Sequence, residues 1–203
     1  DLNKFGGRFK YSKVLQIIGN TDISITSNIT KVRIRRDLKA LINQFSQYEL
    51  CFGNKFHSNS NGYNIKSTGF KISTETEMLY LTDTPNSDGL SGIISVVKKN
   101  PTSKGKIEIV VQSAGTVDYV KGEIKLGTIN IISTEMENDI IEIQAYPESN
   151  DILGLRDLYL NFDISKSSIN MLRDVIASGD EISGTTFARD YYTSSYSNGN
   201  LTR

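Results

Sequence analysis

The sequence predicts a mainly β fold with minor α content (α+β): an antiparallel meander or sandwich carrying one C-terminal helix, with a second short helix near 38–46. Three observations predict it. Apolar residues recur at spacing two along "KIEIVVQSAGTVDYVKGEIKLGTINIISTEMENDIIEIQA", the period of half-buried strands. Ser, Thr, Asn and Gly are frequent, Trp is absent and Pro occurs only 3 times, which suits short strands joined by polar turns. Ile169, Leu172, Val175 and Ile176 form the clearest stripe at helical spacing.

Taken in order, "YSKVLQIIGNTDISITSNITKVRIRRDL" reads as two or three strands. Val14, Gln16 and Ile18 share a face, Gly19-Asn20 turns the chain, and Ile23, Ile25, Val32 and Ile34 continue the alternation. "KVRIRR" sets Lys31, Arg33 and Arg35 on one face, read as solvated or as a contact for an acidic surface. Asp37 then caps the short helix, because Leu38, Leu41, Ile42 and Phe45 follow helical spacing, and "YELCF" returns to strand. The stretch "GNKFHSNSNGYNIKSTG" is a polar loop, "FKISTETEMLYLTD" is extended, "TPNSDG" is a turn, and "LSGIISVVKKN" is dense enough for a buried strand.

In the meander, Lys121-Gly122 supplies the glycine that a tight turn needs at positive φ, so "TVDYVKGEIKLGTINI" reads as a hairpin in preference to a ligand loop. After Pro147, "RDLYLNFDIS" reads as a strand. "SKSSINMLRDVIASGDE" follows as the C-terminal helix, with Ser165 or Ser167 as cap and Gly179 as stop. The polar tail "ARDYYTSSYSNGNLTR" is either a flexible end or a strap. These divisions give three regions: 1–52 with N-terminal strands and the short helix, 53–150 with the antiparallel core, and 151–203 with a strand, helix and tail. They form one compact unit or two small intertwined ones.

Lys plus Arg and Asp plus Glu number 23 each, so net charge gives no general attraction to nucleic acid or to an acidic membrane. No apolar run approaches the ~20 residues that span a bilayer. Cys51 is the single cysteine, which rules out an intrachain disulfide and a four-cysteine zinc site, and an intracellular, reducing origin fits it. Asp1 is not an initiator methionine, so the chain is expected to be a piece of a longer polypeptide.

Chemistry finds little footing in the pattern. His57 is the only histidine and nothing near it marks a nucleophile or a metal-ligand spacing. Glu75 and Glu77 share a strand face, where acids at this spacing are ordinarily solvated rather than catalytic. "FGGRF" lacks the strand-to-helix context of a phosphate loop, and "RFKY" is too short to mark a single-strand binder. The expectation is a non-enzyme with no cofactor, no metal and no small-molecule substrate.

Four segments carry a resemblance: Ile25 to Asn54, Ser67 to Phe70, Val117 to Leu126, and Asp190 to Asn200. In them the chain resembles the C-terminal part of the baseplate wedge proteins, gene product six, of T-even-like contractile-tailed bacteriophages. The resemblance implies a structural virion component, assembled in the host cytoplasm, that pairs as a homodimer. It also implies that such subunits meet other wedge proteins, join wedges into a ring and rearrange on sheath contraction. It carries no catalytic residues. The expected contact is the stripe of Ile169, Leu172, Val175 and Ile176, unless that stripe merely covers the sheet. The alternative is a carbohydrate- or receptor-binding β module in which Tyr63, Tyr80 or Tyr146 stacks on sugar rings.

Overall fold

The computed structural model describes residues 4–99 and 107–172, with the backbone of 196–197 and 200–201. It divides into two units, Asp1–Asn161 and Phe162–Arg203. The first begins with β1 (Arg8–Phe9) and one helix, α1 (Tyr11–Gly19), where alternation had predicted a strand. Val14, Leu15 and Ile18 are half-buried, at the i, i+1, i+4 positions of one helix face. The backbone N–H of Tyr11 donates to Asp151 Oδ1 at 2.8 Å, so a carboxylate remote in sequence satisfies the start of the helix.

The short helix expected near 38–46 is absent. β2 (Ile34–Lys39) runs through its first residues and β3 (Phe45–Cys51) takes its last. Leu38 and Ala40 are both buried while Lys39 between them is exposed, which is the period of a strand, and Asn43 turns the chain at φ 58°.

The chain continues through β4 (Lys66–Ser67), β5 (Phe70–Ile72), β6 (Leu79–Pro85), β7 (Ser91–Lys99), β8 (Ile107–Asp118), β9 (Glu123–Thr134), β10 (Ile140–Ala145) and β11 (Ile152–Leu153). The predicted meander does not lie open and does not pair into a sandwich. β9 pairs with β5, β5 with β6, β6 with β7, β7 with β8, and β8 again with β9, closing a five-stranded antiparallel barrel, while β3 flanks it on β9. A separate sheet in the order β2–β10–β4 contributes to the same core. Phe56, Ile65, Leu79, Ile94, Val96, Ile124, Ile141 and Ile143 are fully buried, each contributing roughly 1.5–3 kcal/mol of burial. Phe56 and Ile65 come from the loop read as polar, and Phe56 packs edge-to-face on Phe52 at 5.1 Å.

The β8–β9 hairpin forms where the glycine placed it. Asp118 pairs with Glu123, and Gly122 closes the turn at φ +68°. Its N–H donates to the Asp118 carbonyl at 2.9 Å, while Lys121 N–H donates to Asp118 Oδ1 at 2.9 Å.

In the second unit the C-terminal helix is corrected as well. Ile164–Lys166 form a 3-10 turn and 167–172 follow without helix; the rest of the expected element lies outside the described residues. The local reason is Asp163, whose Oδ1 accepts from the Lys166 N–H at 3.3 Å and whose carbonyl accepts from Ser167 Oγ at 2.7 Å. Such side-chain bonds compete with a helical backbone. The strand expected over "RDLYLNFDIS" is not formed either. β12 (Tyr196–Ser197) and β13 (Asn200–Leu201) pair with each other.

Candidate interaction surfaces

Barrel closure leaves an opening between β8 and β9. Their ladder runs only from Gly115–Leu126 to Asp118–Glu123, and at Gly115 they come so close that a Cβ would lie 2.2 Å from the Lys125 carbonyl oxygen. Beyond it β9 turns to β5, pairing Ile131 with Ile72 and Thr134 with Phe70. Register shifts interrupt β7–β8 between Ile94 and Val97, and β3–β9 between Ser46 and Tyr48, bends of the kind that part neighbouring strands. The resulting cleft holds about 270 Å³ and is lined by Phe45, Ile72, Val96, Val111, Ile129 and Asn130, among others. Asn130 Oδ1 is buried there with no hydrogen-bond partner among the described residues.

A second set of surfaces is apolar and exposed. Phe5, Ile17, Ile23 and Ile29 expose 68%, 58%, 102% and 92% of their surface, in the helix and in the irregular segments around it. In the second unit Ile169 and Leu172, two members of the predicted stripe, expose 92% and 84%. They do not lie on a helix; Val175 and Ile176 fall outside the described residues.

The groups tested for chemistry are occupied in other ways. Glu75 and Glu77 do not face a cleft as a catalytic pair: both surround Lys98 Nζ, at 3.8 and 3.7 Å, with Glu108 at 3.9 Å. His57 Nδ1 stands 3.4 Å from Glu148 Oε2 on the surface. Of the basic stripe Lys31, Arg33 and Arg35, Arg35 pairs with Asp37 and the buried Glu142 and Arg33 lies 4.8 Å over the Tyr146 ring, while the neighbouring Arg36 donates to the Cys51 carbonyl. Lys99 lies 4.2 Å over the Tyr80 ring, so two of the three tyrosines considered for sugar stacking already carry a cation; Tyr63 is exposed.

One constellation escaped the sequence reading. Glu49 and Cys51, two apart on β3, meet Glu123 across the β3–β9 ladder, and their ligand atoms lie within 4.8 Å of one another. The spacing of two was visible, but the partner strand was not. Burial first, then the charges of Glu123 and Glu49, raise the Cys51 thiol above its ordinary pKa. Glu49 is already engaged by Lys125 Nζ at 3.1 Å, which in turn raises the lysine.

The described residues thus define a class: a small closed β barrel with an additional sheet, an open strand edge and exposed apolar side chains suited to assembly. Residues 1–37, which hold α1 and the start of β2, match the family described as baseplate structural protein gp6, C-terminal domain III. The match supports a structural role in a viral tail baseplate and implies a non-enzymatic one. It shares Ile25 to Asp37 with the first resembling segment and does not extend to those at Ser67, Val117 or Asp190. No curated protein matches the chain.

Proposed function

We propose that this chain is a subunit of a phage tail baseplate wedge. It associates as a homodimer, meets neighbouring wedge proteins to join wedges into a ring, and rearranges with the baseplate on sheath contraction. The observation that carries the reading is the exposure of Phe5, Ile17, Ile23 and Ile29 inside the stretch matching a baseplate family. Apolar side chains so placed are buried by assembly more readily than they are tolerated by water. Ile169, Leu172, Val175 and Ile176 of the second unit form a further contact.

Multi-angle light scattering of the chain tests it. The dimer mass is expected, Ile23→Asp with Ile29→Asp is expected to return the mass to monomer, and circular dichroism and melting are expected to stay unchanged because neither side chain is packed. Leu172→Asp gives the same comparison for the second unit. A strict monomer at high concentration overturns the dimer reading.

A further inference from the structure

We propose that the Asn61-Gly62 step is a latent site of spontaneous deamidation and backbone isomerisation, shut by the turn 59–62 and opened when that turn frays. The inference is independent of the assembly reading, which stands or falls without it.

The sequence supplies the reactants. In an Asn-Gly step the backbone nitrogen of the glycine reaches Cγ of the asparagine side chain, because no Cβ stands in its way. A bond forms from Gly62 N to Asn61 Cγ, the Cγ–Nδ2 bond breaks, and ammonia leaves with the proton of the backbone amide, giving a cyclic succinimide. Water then opens the ring at either carbonyl and produces aspartate or isoaspartate at position 61. Solvent water is the only co-reactant.

The fold withholds the nucleophile. Gly62 N–H donates to the Asn59 carbonyl at 2.7 Å, and Asn61 N–H donates to Asn59 Oδ1 at 3.1 Å. Asn61 is thus the third residue of a β-turn, whose compact backbone aims the next N–H back across the turn instead of at the Asn61 side chain. Gly62 is buried at φ +71°, while Asn59, Ser60 and Asn61 are exposed. The electrophile therefore stands in water and the nucleophile does not.

The closure is local. After the turn, Tyr63 N–H donates to the Asp83 carbonyl at 3.1 Å, Ile65 N–H donates to Asp83 Oδ1 at 2.7 Å, and Asn64 Oδ1 accepts from the Tyr146 N–H at 2.9 Å. Among the described residues, the bonds donated by the turn's own backbone go to Asn59 alone. Such a turn opens while the core stays folded. Reaction makes the opening permanent: isoaspartate adds a methylene to the main chain ahead of Gly62, where even a Cβ would lie 2.4 Å from the Asp83 carbonyl oxygen.

The test incubates the 203-residue chain in mildly alkaline buffer beside the synthetic peptide 56–66, FHSNSNGYNIK, and follows both by peptide mapping with mass spectrometry. Conversion at Asn61 is expected to be at least about tenfold slower in the folded chain than in the peptide, because modification tracks the population of the opened turn. Urea is expected to bring the chain to the peptide's rate. Asn59→Ala removes one acceptor at the surface and is expected to speed conversion several-fold in the chain but not in the peptide, whereas Asn59→Asp keeps the acceptor and the slow rate. The other Asn-Gly step, Asn198-Gly199, is read on its own proteolytic fragment and is expected to keep its rate in both variants. In the isoaspartyl product, separated by chromatography, the Tyr63 amide is expected to exchange faster. Conversion of the folded chain at the peptide's rate overturns the proposal, as does a chain that stays unmodified in urea. An Asn59→Ala chain that reacts no faster than the parent also overturns it. Equal acceleration at Asn61 and Asn198 reads as opening of the whole chain and overturns local closure by the turn. Should Asn59→Ala unfold, the comparison of parent chain, peptide and urea decides alone.

Discussion

The hydroxyl of Tyr119, at the hairpin turn, donates to Asp83 Oδ2 on β6 at 2.7 Å, with both residues buried. The other carboxylate oxygen of Asp83 accepts the Ile65 N–H at 2.7 Å. Gly92 makes room for this bolt, since a Cβ there would come within 2.8 Å of the Tyr119 hydroxyl oxygen. A carboxylate thus ties a strand, a turn and the long loop together across the core.

Tyr119→Phe keeps the packing and removes one donor from a buried carboxylate. We expect a loss of about 1–3 kcal/mol in urea unfolding, against more for Asp83→Ala, which orphans both the hydroxyl and the Ile65 amide. Equal stability of Tyr119→Phe and the parent would show that the bond contributes nothing.

Alkali should act through the same pair. Burial, then the hydrogen bond to Asp83 and its charge, hold the Tyr119 hydroxyl protonated well above the ordinary tyrosine value of 10.0. Above that pH the folded chain keeps a proton that the unfolded chain releases. The contribution is intact below pH 10 and falls as pH rises, by up to about 1.4 kcal/mol per pH unit. Melting curves between neutral pH and pH 11 should show this decline in the parent and a shallower one in Tyr119→Phe.

Gly122→Ala should destabilise the hairpin for two reasons. Its φ of +68° disfavours a Cβ by roughly 1–2 kcal/mol, and that Cβ would stand 2.0 Å from the Asn54 carbonyl oxygen. Thermal unfolding is expected at least several degrees lower, at roughly 2–4 °C per kcal/mol for a chain this size. Gly19→Ala, whose Cβ meets nothing within 4 Å, is the control expected to leave it unchanged.

Cys51 should be a slow thiol. Its raised pKa lowers the thiolate fraction near pH 8, and the thiolate is the nucleophile. Iodoacetamide should label it more slowly than a free cysteine peptide, and Glu123→Gln, which removes the larger of the two raising charges, should speed labelling several-fold. An unchanged rate would leave burial as the whole cause.

The hairpin was legible because its information is local: Gly122 between Val117, Tyr119 and Ile124, Leu126 states both the turn and its strands. α1 was not, since its first turn is completed by Asp151, and Val14 with Ile18 satisfies a period of two as well as one of 3.6. The helix expected near 38–46 failed to form because tertiary burial of Leu38 and Ala40 overrode a pattern that also fits a helix. The serine-rich start at Ser165 was read as a helix cap, while those hydroxyls bind Asp163 instead. Closure of the barrel depends on β9 finding both β5 and β8, and no spacing of residues announces that. The same holds for the cleft, and for the meeting of Glu49 and Cys51 with Glu123.

The three partners of β9 also set an order in time. β8 lies one turn away, whereas β3 must bring Phe45 to Asn130 and β5 must bring Phe70 to Thr134 across long intervening stretches. Loop-closure entropy therefore lets the β8–β9 hairpin form early and delays the seam with β3 and β5, giving folding on the order of milliseconds to seconds. In stopped-flow chevrons, a change at Gly122 should chiefly slow folding, while trimming Phe70 at the seam should chiefly hasten unfolding. Until that seam closes, the strand that later anchors the barrel is itself an open edge, and this interval is when a nascent chain is most exposed to pairing with the wrong neighbour.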